Sequence, residues 1–175
     1  MSLTVDIPTL ETDRLRLRAW SLADADHLAP VFTKEAGGEL IGGTEGYYRA
    51  WRVISMEVGH WALRGFGVWA LEAKDDGRFI GFCGPWFPGD FPEPDLGWAL
   101  RVEERGKGFA TEAATAARGY LYSKRAFAPL VSIIAPENAG SVGVAKRLGC
   151  TRESSFSILG KTVDLWRHPA PHQLH

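Results

Sequence analysis

The sequence predicts an α+β protein, a twisted mixed sheet flanked by helices, and three observations carry that expectation. Strand-type patterns both open and close the chain. Between them a strand, a glycine turn, an alanine-rich helix, a short apolar run and a second short helix follow in order, the pattern of a sheet with a crossover. The 175 residues, 45% hydrophobic and 23% charged, match ordinary globular usage and suffice for one core. No internal repeat or low-complexity segment stands out, so the expected unit is a single domain over residues 9–168, with extensions at 1–8 and 169–175.

Thr12 to Trp20 alternates strictly, Leu15 and Leu17 on one face and Arg14, Arg16 and Arg18 on the other, which reads as a half-buried strand. Ser21 then offers an N-cap with Asp24 three residues on, and Leu22, Ala25, Leu28 and Ala29 recur at helical spacing. Residues 35–46, with Gly37, Gly38, Gly42 and Gly43, read as a mobile loop of the kind that covers sites, before a helix from about Tyr47 to His60. Phe66 to Ala73 and Arg78 to Trp86 flank the turn Lys74-Asp75-Asp76-Gly77 and read as a hairpin. Pro85 to Pro94 carries four prolines and reads as a connection rather than a strand, because proline has no N–H for a ladder.

Asp95 to Val102 is the next strand, followed by Arg105-Gly106-Lys107-Gly108 and an alanine-rich helix from Phe109 to about Arg125. Leu130 to Ala135 is a short apolar run typical of a strand covered on both faces. Ser141 is a candidate cap for a helix from about Val142 to Leu148, closed by Gly149. Strands near Thr151 to Ser157 and Thr162 to Arg167 finish the sheet, and the tail after His168 reads as frayed.

Twenty basic and 21 acidic side chains leave a net charge of −1, which argues against a nucleic-acid partner held by bulk charge. Cys83 and Cys150 stand far apart, and the five histidines form no metal-binding spacing, so no metal is expected. The N-terminal segment lacks a signal-peptide pattern and no stretch reaches the ~20 apolar residues of a membrane span, which leads to the expectation of a cytoplasmic protein with no membrane partner.

The chemistry concentrates at the glycine turn. Glycines let the backbone approach a ligand closely, and the unpaired first-turn N–H groups of the following helix favour an anion, so the turn suits a phosphate. Neither the Walker spacing nor the dinucleotide fingerprint is present. The pattern [RQ]-x-x-G-x-[GA], met by Arg105, Gly108 and Ala110, is weak by itself and gains meaning from its place between strand and helix.

That arrangement resembles the GCN5-related N-acetyltransferase (GNAT) superfamily. TDRLRLRAW, the Asp95-Leu96-Gly97-Trp98 strand, RGKGFATEA and PENAGSVGVAKRLG look like its RimJ/RimL-like branch, over roughly residues 9–168. The resemblance implies a sheet splayed between the family's fourth and fifth strands, here Asp95 to Val102 and Leu130 to Ala135, with acetyl-coenzyme A in the cleft. It implies backbone N–H groups of Arg105, Gly106, Lys107, Gly108, Phe109 and Ala110 on the pyrophosphate, and pantetheine along the edge at Leu100 and Val102. Asn138 would contact the pantetheine arm, and Lys107, Lys146 or Arg147 would reach a phosphate.

Acetyl transfer needs a neutral amine, so a base is required, together with a proton for the departing thiolate. Asp95 is the first candidate base, with Glu93 two residues before it. Val142 to Leu148 lacks the tyrosine that many superfamily members use as acid, while Ser141 matches the serine of Rim-type enzymes. Trp86, Phe87 and Phe91 are candidates for an acceptor pocket. The expected activity is direct transfer from acetyl-coenzyme A to a protein N-terminus or a small-molecule amine, by a monomer or homodimer. An acyl-coenzyme A sensor of the same fold, or a regulator with another phosphate ligand, are the alternatives.

Overall fold

The computed structural model describes residues 5–32, 46–89, 91–124, 130–158 and 160–174. The alternation at the chain start becomes β2 (Leu15–Arg18), which pairs with the short β1 (Leu10–Glu11) and then with β3 (Trp69–Ala73). β4 (Phe79–Trp86), β5 (Asp95–Leu100), β6 (Val131–Ile134), β7 (Thr151–Ile158) and β8 (Lys161–Arg167) extend this to an eight-stranded sheet of order β1-β2-β3-β4-β5-β6-β8-β7. Every neighbour pair is antiparallel except β5–β6, which is parallel, as expected for strands joined by a helical crossover.

That crossover helix, α3 (Phe109–Lys124), packs Ala110, Ala113, Ala114 and Ala117 into the same core as Leu15, Leu17, Leu96 and Leu100. Small side chains allow helix and sheet to approach closely. α1 (Asp24–Leu28) and α2 (Tyr47–Arg64) build a second core of Leu28, Val53 and Ile54 with Ala70 and Phe79. α4 (Ala139–Arg147) follows β6.

Several boundaries differ from the sequence expectation. β5 ends at Leu100, and Val102, expected on its edge, instead opens a 3-10 turn over Val102–Glu104 and is 53% exposed. Pro85 lies inside β4, paired with Leu96. Arg101 N–H donates to Ile80 O, so alternation turns the Pro85 nitrogen away from β5, beyond the last β3 pair at Trp69–Cys83, where no donor is needed. The Ser21 hydroxyl donates to the Asp24 carboxylate instead of capping a backbone N–H, and Asp24 is held by Arg18. The tail is folded: His168 is buried, its N–H donates to Leu130 O, Tyr122 donates to Pro169 O, and a 3-10 turn spans Pro171–Gln173. The glycine loop expected near residues 35–46 falls almost wholly outside the described residues.

Candidate active site

The site begins where β5 and β6 separate. Arg101 N–H faces β4, so the N–H and C=O groups of Leu96, Trp98 and Leu100 face β6. Among the described residues the two strands share one register pair, Asp95–Val131, with Val131 N–H reaching Pro94 O at 3.4 Å. A regular parallel ladder would next join Ile133 N–H to Leu96 O. Two side chains take those groups instead. Asp95 Oδ1 accepts from Ile133 N–H at 2.9 Å, and the Ser132 hydroxyl donates to Leu96 O at 2.7 Å. Beyond that point the strands diverge, and the main chain of Trp98 and Leu100 is turned toward the opening. Leu100 O accepts from Arg105 Nε at 3.2 Å.

Asp95 thus sits at the apex of a cleft. Its carboxyl is enclosed by protein although the residue keeps some accessible surface; burial pushes it up to about 7, against the pull of the Ile133 N–H. A group with that proton affinity is suited to general-base work near neutrality. Glu93, the rival, is bound by Arg167 through two contacts of 2.5 and 2.8 Å, and that guanidinium holds it below the usual range. The structure therefore separates the two carboxylates.

The glycine turn lies at the far end of β5. Gly106 and Gly108 adopt left-handed φ of +76° and +86°. Arg14 braces the turn from beneath: it donates to Lys107 O at 3.0 Å, pairs with Glu112 at 2.6 Å and lies 4.5 Å over the Phe109 ring. Phe109 and Ala110 are buried in the core, and first-turn N–H groups have no acceptor within their own helix. A Cβ placed on Gly106 meets nothing within 4 Å. Arg147 Nε donates to Thr111 Oγ1 at 3.3 Å, which brings a guanidinium from α4 to the first turn of α3. Lys107 is ion-paired with Glu104 at 3.0 Å. These features fit a phosphate-bearing ligand.

Asn138, not Ser141, caps α4: its side-chain oxygen accepts from Ser141 N–H at 3.0 Å. The Asn138 amide NH2 can still donate to a ligand. Ser141 is half-buried in the first turn of α4, its hydroxyl not consumed by the cap.

The aromatic candidates divide. Trp86 is the cross-strand partner of Asp95 and lies against His60, ring centroids 4.7 Å apart, and Phe87 lies under Arg64. Phe87 N–H donates to His60 Nε2 at 3.1 Å, which puts the ring proton on Nδ1, 2.8 Å from Phe66 O, and leaves the imidazole neutral. Phe91 instead lines a separate cleft of about 450 Å³ with Pro92, Ser154, Phe156, Ser157, Ile158 and Leu165. Leu165 is the cross-strand partner of Ile133, so this cleft adjoins Asp95 on one face of the sheet.

The sequence matches the profile of the acetyltransferase (GNAT) domain over residues 14–151. The chain belongs to the GNAT acetyltransferase family. It is 31% identical over 110 residues to the uncharacterized protein YkkB of Bacillus subtilis strain 168, a match spanning 61% of this chain and 60% of that protein. The acetyltransferase from Agrobacterium tumefaciens strain C58 superposes with a TM-score of 0.82 at 30% identity, covering 97% of this chain and 98% of its own. RimL, an acetyltransferase of ribosomal L7/L12 solved with coenzyme A, shares the fold with a TM-score of 0.71 at 13% identity, over 93% of this chain and 98% of its own.

In this GNAT chain three buried polar residues escaped the sequence reading. Ser132 and His168 are linked at 2.9 Å behind Leu96, and Glu57 of α2 is buried beside Val68, its carboxyl pushed up to about 8 by desolvation. Glu57 was legible: it falls on the inward stripe Ala50, Val53, Ile54, Glu57, Trp61. Cys83 and Cys150 are both buried, which pushes the first thiol far up and the second up to about 12, the opposite of what a nucleophile requires. Among the described residues no His/Cys/Asp/Glu group could hold a metal ion, and no helix is long and apolar enough to cross a membrane.

Proposed function

We propose that this protein transfers an acetyl group from acetyl-coenzyme A directly to a primary amine, with Asp95 as general base. The observation that carries the reading is the replacement of a ladder bond by Asp95, which puts a desolvated carboxyl at the apex of the β5–β6 cleft. The complex of RimL with coenzyme A supports the choice of co-substrate, because the fold is shared and the glycine turn, α3 N-terminus and Arg147 converge where phosphates would rest.

Bound there, the co-substrate supplies an acyl thioester. The amides of residues 106–110 and Arg147 hold its phosphates, the Asn138 NH2 and the Leu100 edge align its arm, and Trp98 N–H polarises the thioester carbonyl. Asp95 takes the proton of the attacking amine, directly or through one water, and Ser141 returns a proton to the departing sulfur. The adjoining cleft supplies the acceptor site. Among the described residues its lining is apolar plus two serines, without a carboxylate, so it favours an amine beside an apolar group, as at a peptide N-terminus, over a polycation. The domain is proposed to span residues 9–168, on the RimJ/RimL-like branch. Thiol release from acetyl-coenzyme A, measured across a panel of peptides, polyamines and small amines, tests the proposal. Tight coenzyme binding without turnover on any amine would instead favour a sensor.

A further inference from the structure

The two side chains that replace the lost ladder bond are held very differently. Asp95 is fixed by one N–H. Ser132 is fixed from behind by a buried chain that runs across the sheet to α3. Arg118 Nη1 donates to Leu148 O at 2.7 Å and lies 3.4 Å from His168 Nδ1. A guanidinium can only donate, so Nδ1 is an acceptor and the ring proton belongs on Nε2. Nε2–H then donates to Ser132 Oγ at 2.9 Å, and the single hydroxyl proton goes to Leu96 O at 2.7 Å. From Arg118 Nη1 to Leu96 O each hydrogen bond has one direction, while Arg118 Nε is buried without a hydrogen-bond partner among the described residues. Ser132 and His168 are each about 1% exposed, and a buried group with one allowed orientation is a rigid anchor. His168 is further fixed by its own N–H on Leu130 O, one residue before β6.

We infer that Ser132, oriented by His168 and Arg118, is the positioning residue of the active site: it pins Leu96 to β6 and so fixes where the strands separate and where Asp95 stands. This rests on the proposed role of Asp95 as base. Leu96 adjoins Asp95 in β5, and Ser132 adjoins Ile133, whose N–H Asp95 accepts. The two bridges form one clasp: releasing Leu96 O frees β5 to move off β6, admits water to the apex and loosens Asp95. The anchor itself carries no titration in the working range, because burial and the Arg118 charge lower His168 to about 3. Among the described residues, the other groups around Asp95 are neutral or paired. Trp86 faces it from β4, Val131 and Ile133 from β6, Arg167 from β8 is paired with Glu93 and Glu153, and on α2 His60 is neutral and Glu57 buried.

The test is Ser132→Ala, with Ser132→Thr to restore the hydroxyl, each assayed with whichever amine of the panel turns over fastest. The expected result is a 10- to 100-fold fall in kcat with KM for acetyl-coenzyme A within about twofold. The limb of kcat/KM that belongs to Asp95, expected near 7, moves to lower pH as the carboxyl becomes hydrated, and Ser132→Thr recovers most of both. Independently of activity, the Ile133 amide exchanges with solvent faster in Ser132→Ala. A folded Ser132→Ala with unchanged kcat, or with unchanged Ile133 exchange, overturns the inference. Should Ser132→Ala not fold, nitrogen-15 spectra of wild-type His168 decide: an Nε2–H tautomer without titration between pH 5 and 8 supports the anchor, and an Nδ1–H tautomer or a titration in that range overturns it. Failure of the base reading is separable, since an Asp95→Asn variant of full activity removes the base while leaving the exchange and tautomer results to judge the clasp.

Discussion

Asp95→Asn is expected to raise stability at alkaline pH while abolishing most of the activity. Asparagine can keep the Ile133 N–H on its side-chain oxygen, so the substitution removes the charge with little change in geometry. In the unfolded chain the carboxyl ionises near its ordinary value of 3.8, whereas burial raises it to about 7 in the folded protein. The unfolded state therefore binds fewer protons between those values, so wild-type stability is fully present below about pH 4 and is lost as pH rises to 7. Roughly three pH steps at about 1.4 kcal/mol each amount to an upper figure of about 4 kcal/mol. At about 2–4 °C per kcal/mol for a chain of this size, the variant should melt up to ~10–15 °C above wild type at pH 8, and level with it at pH 4. Paired thermal melts at the two pH values measure this. A difference that is the same at pH 4 and pH 8 would refute the desolvated carboxyl, whatever its sign. In turnover the same variant should lose at least ~100-fold in kcat and lose the rise of rate through pH 7, with KM for acetyl-coenzyme A held.

Gly81→Ala should cost about 3 kcal/mol or more in urea unfolding, because its Cβ would stand 2.1 Å from Ala99 O and 2.8 Å from Leu100 Cα, forcing β4 from β5. Arg147→Ala should raise KM for acetyl-coenzyme A about 3- to 10-fold and reduce its salt dependence with kcat unchanged; an unaltered KM would remove Arg147 from the phosphate site. Phe91→Ala should raise KM for the acceptor several-fold and leave that for acetyl-coenzyme A alone, the reverse of the Arg147 pattern, if the 450 Å³ cleft is the acceptor site. Iodoacetamide at pH 8 should leave activity intact, since both thiols are buried and protonated; rapid inactivation would reopen a covalent route.

What could be read in the sequence was whatever local periodicity or backbone need dictates. The alternation of Leu15 and Leu17 gave β2, Asp76-Gly77 gave a turn with Gly77 at φ +76°, and the glycines before an alanine-rich stretch gave the ligand turn, because each is decided by residues close in the chain. Capping was less legible. Ser141 and Asn138 are both good N-cap residues, and choosing between them depends on where β6 delivers the chain into α4. The trio Ser132, His168 and Arg118 lay beyond reach, since their sequence separations of 36 and 50 carry no local signal. Trp86, Phe87 and Phe91 looked like one cluster because they are neighbours in sequence, and separated because β4 continues through Pro85 to Trp86.

The choice of residues at the apex is easier to explain by chemistry than by stability. Where two parallel strands part, the freed N–H and C=O must be satisfied, and any short acceptor on one strand with any hydroxyl on the other would do so. Asparagine in place of Asp95 would accept the Ile133 N–H and avoid a desolvation cost of at most about 4 kcal/mol at alkaline pH. That cost is a large share of the 5–15 kcal/mol that typically holds a domain together. The carboxylate differs from the amide in one useful respect, its capacity to take a proton, and burial moves that capacity to neutral pH, where an amine acceptor must be deprotonated before it can attack. Ser132 then has the complementary task of keeping the apex dry enough for the shift to persist. On this reasoning a residue costly to the fold stands where the proposed reaction needs it, and the bridge beside it is built from neutral groups because only one proton acceptor is wanted there.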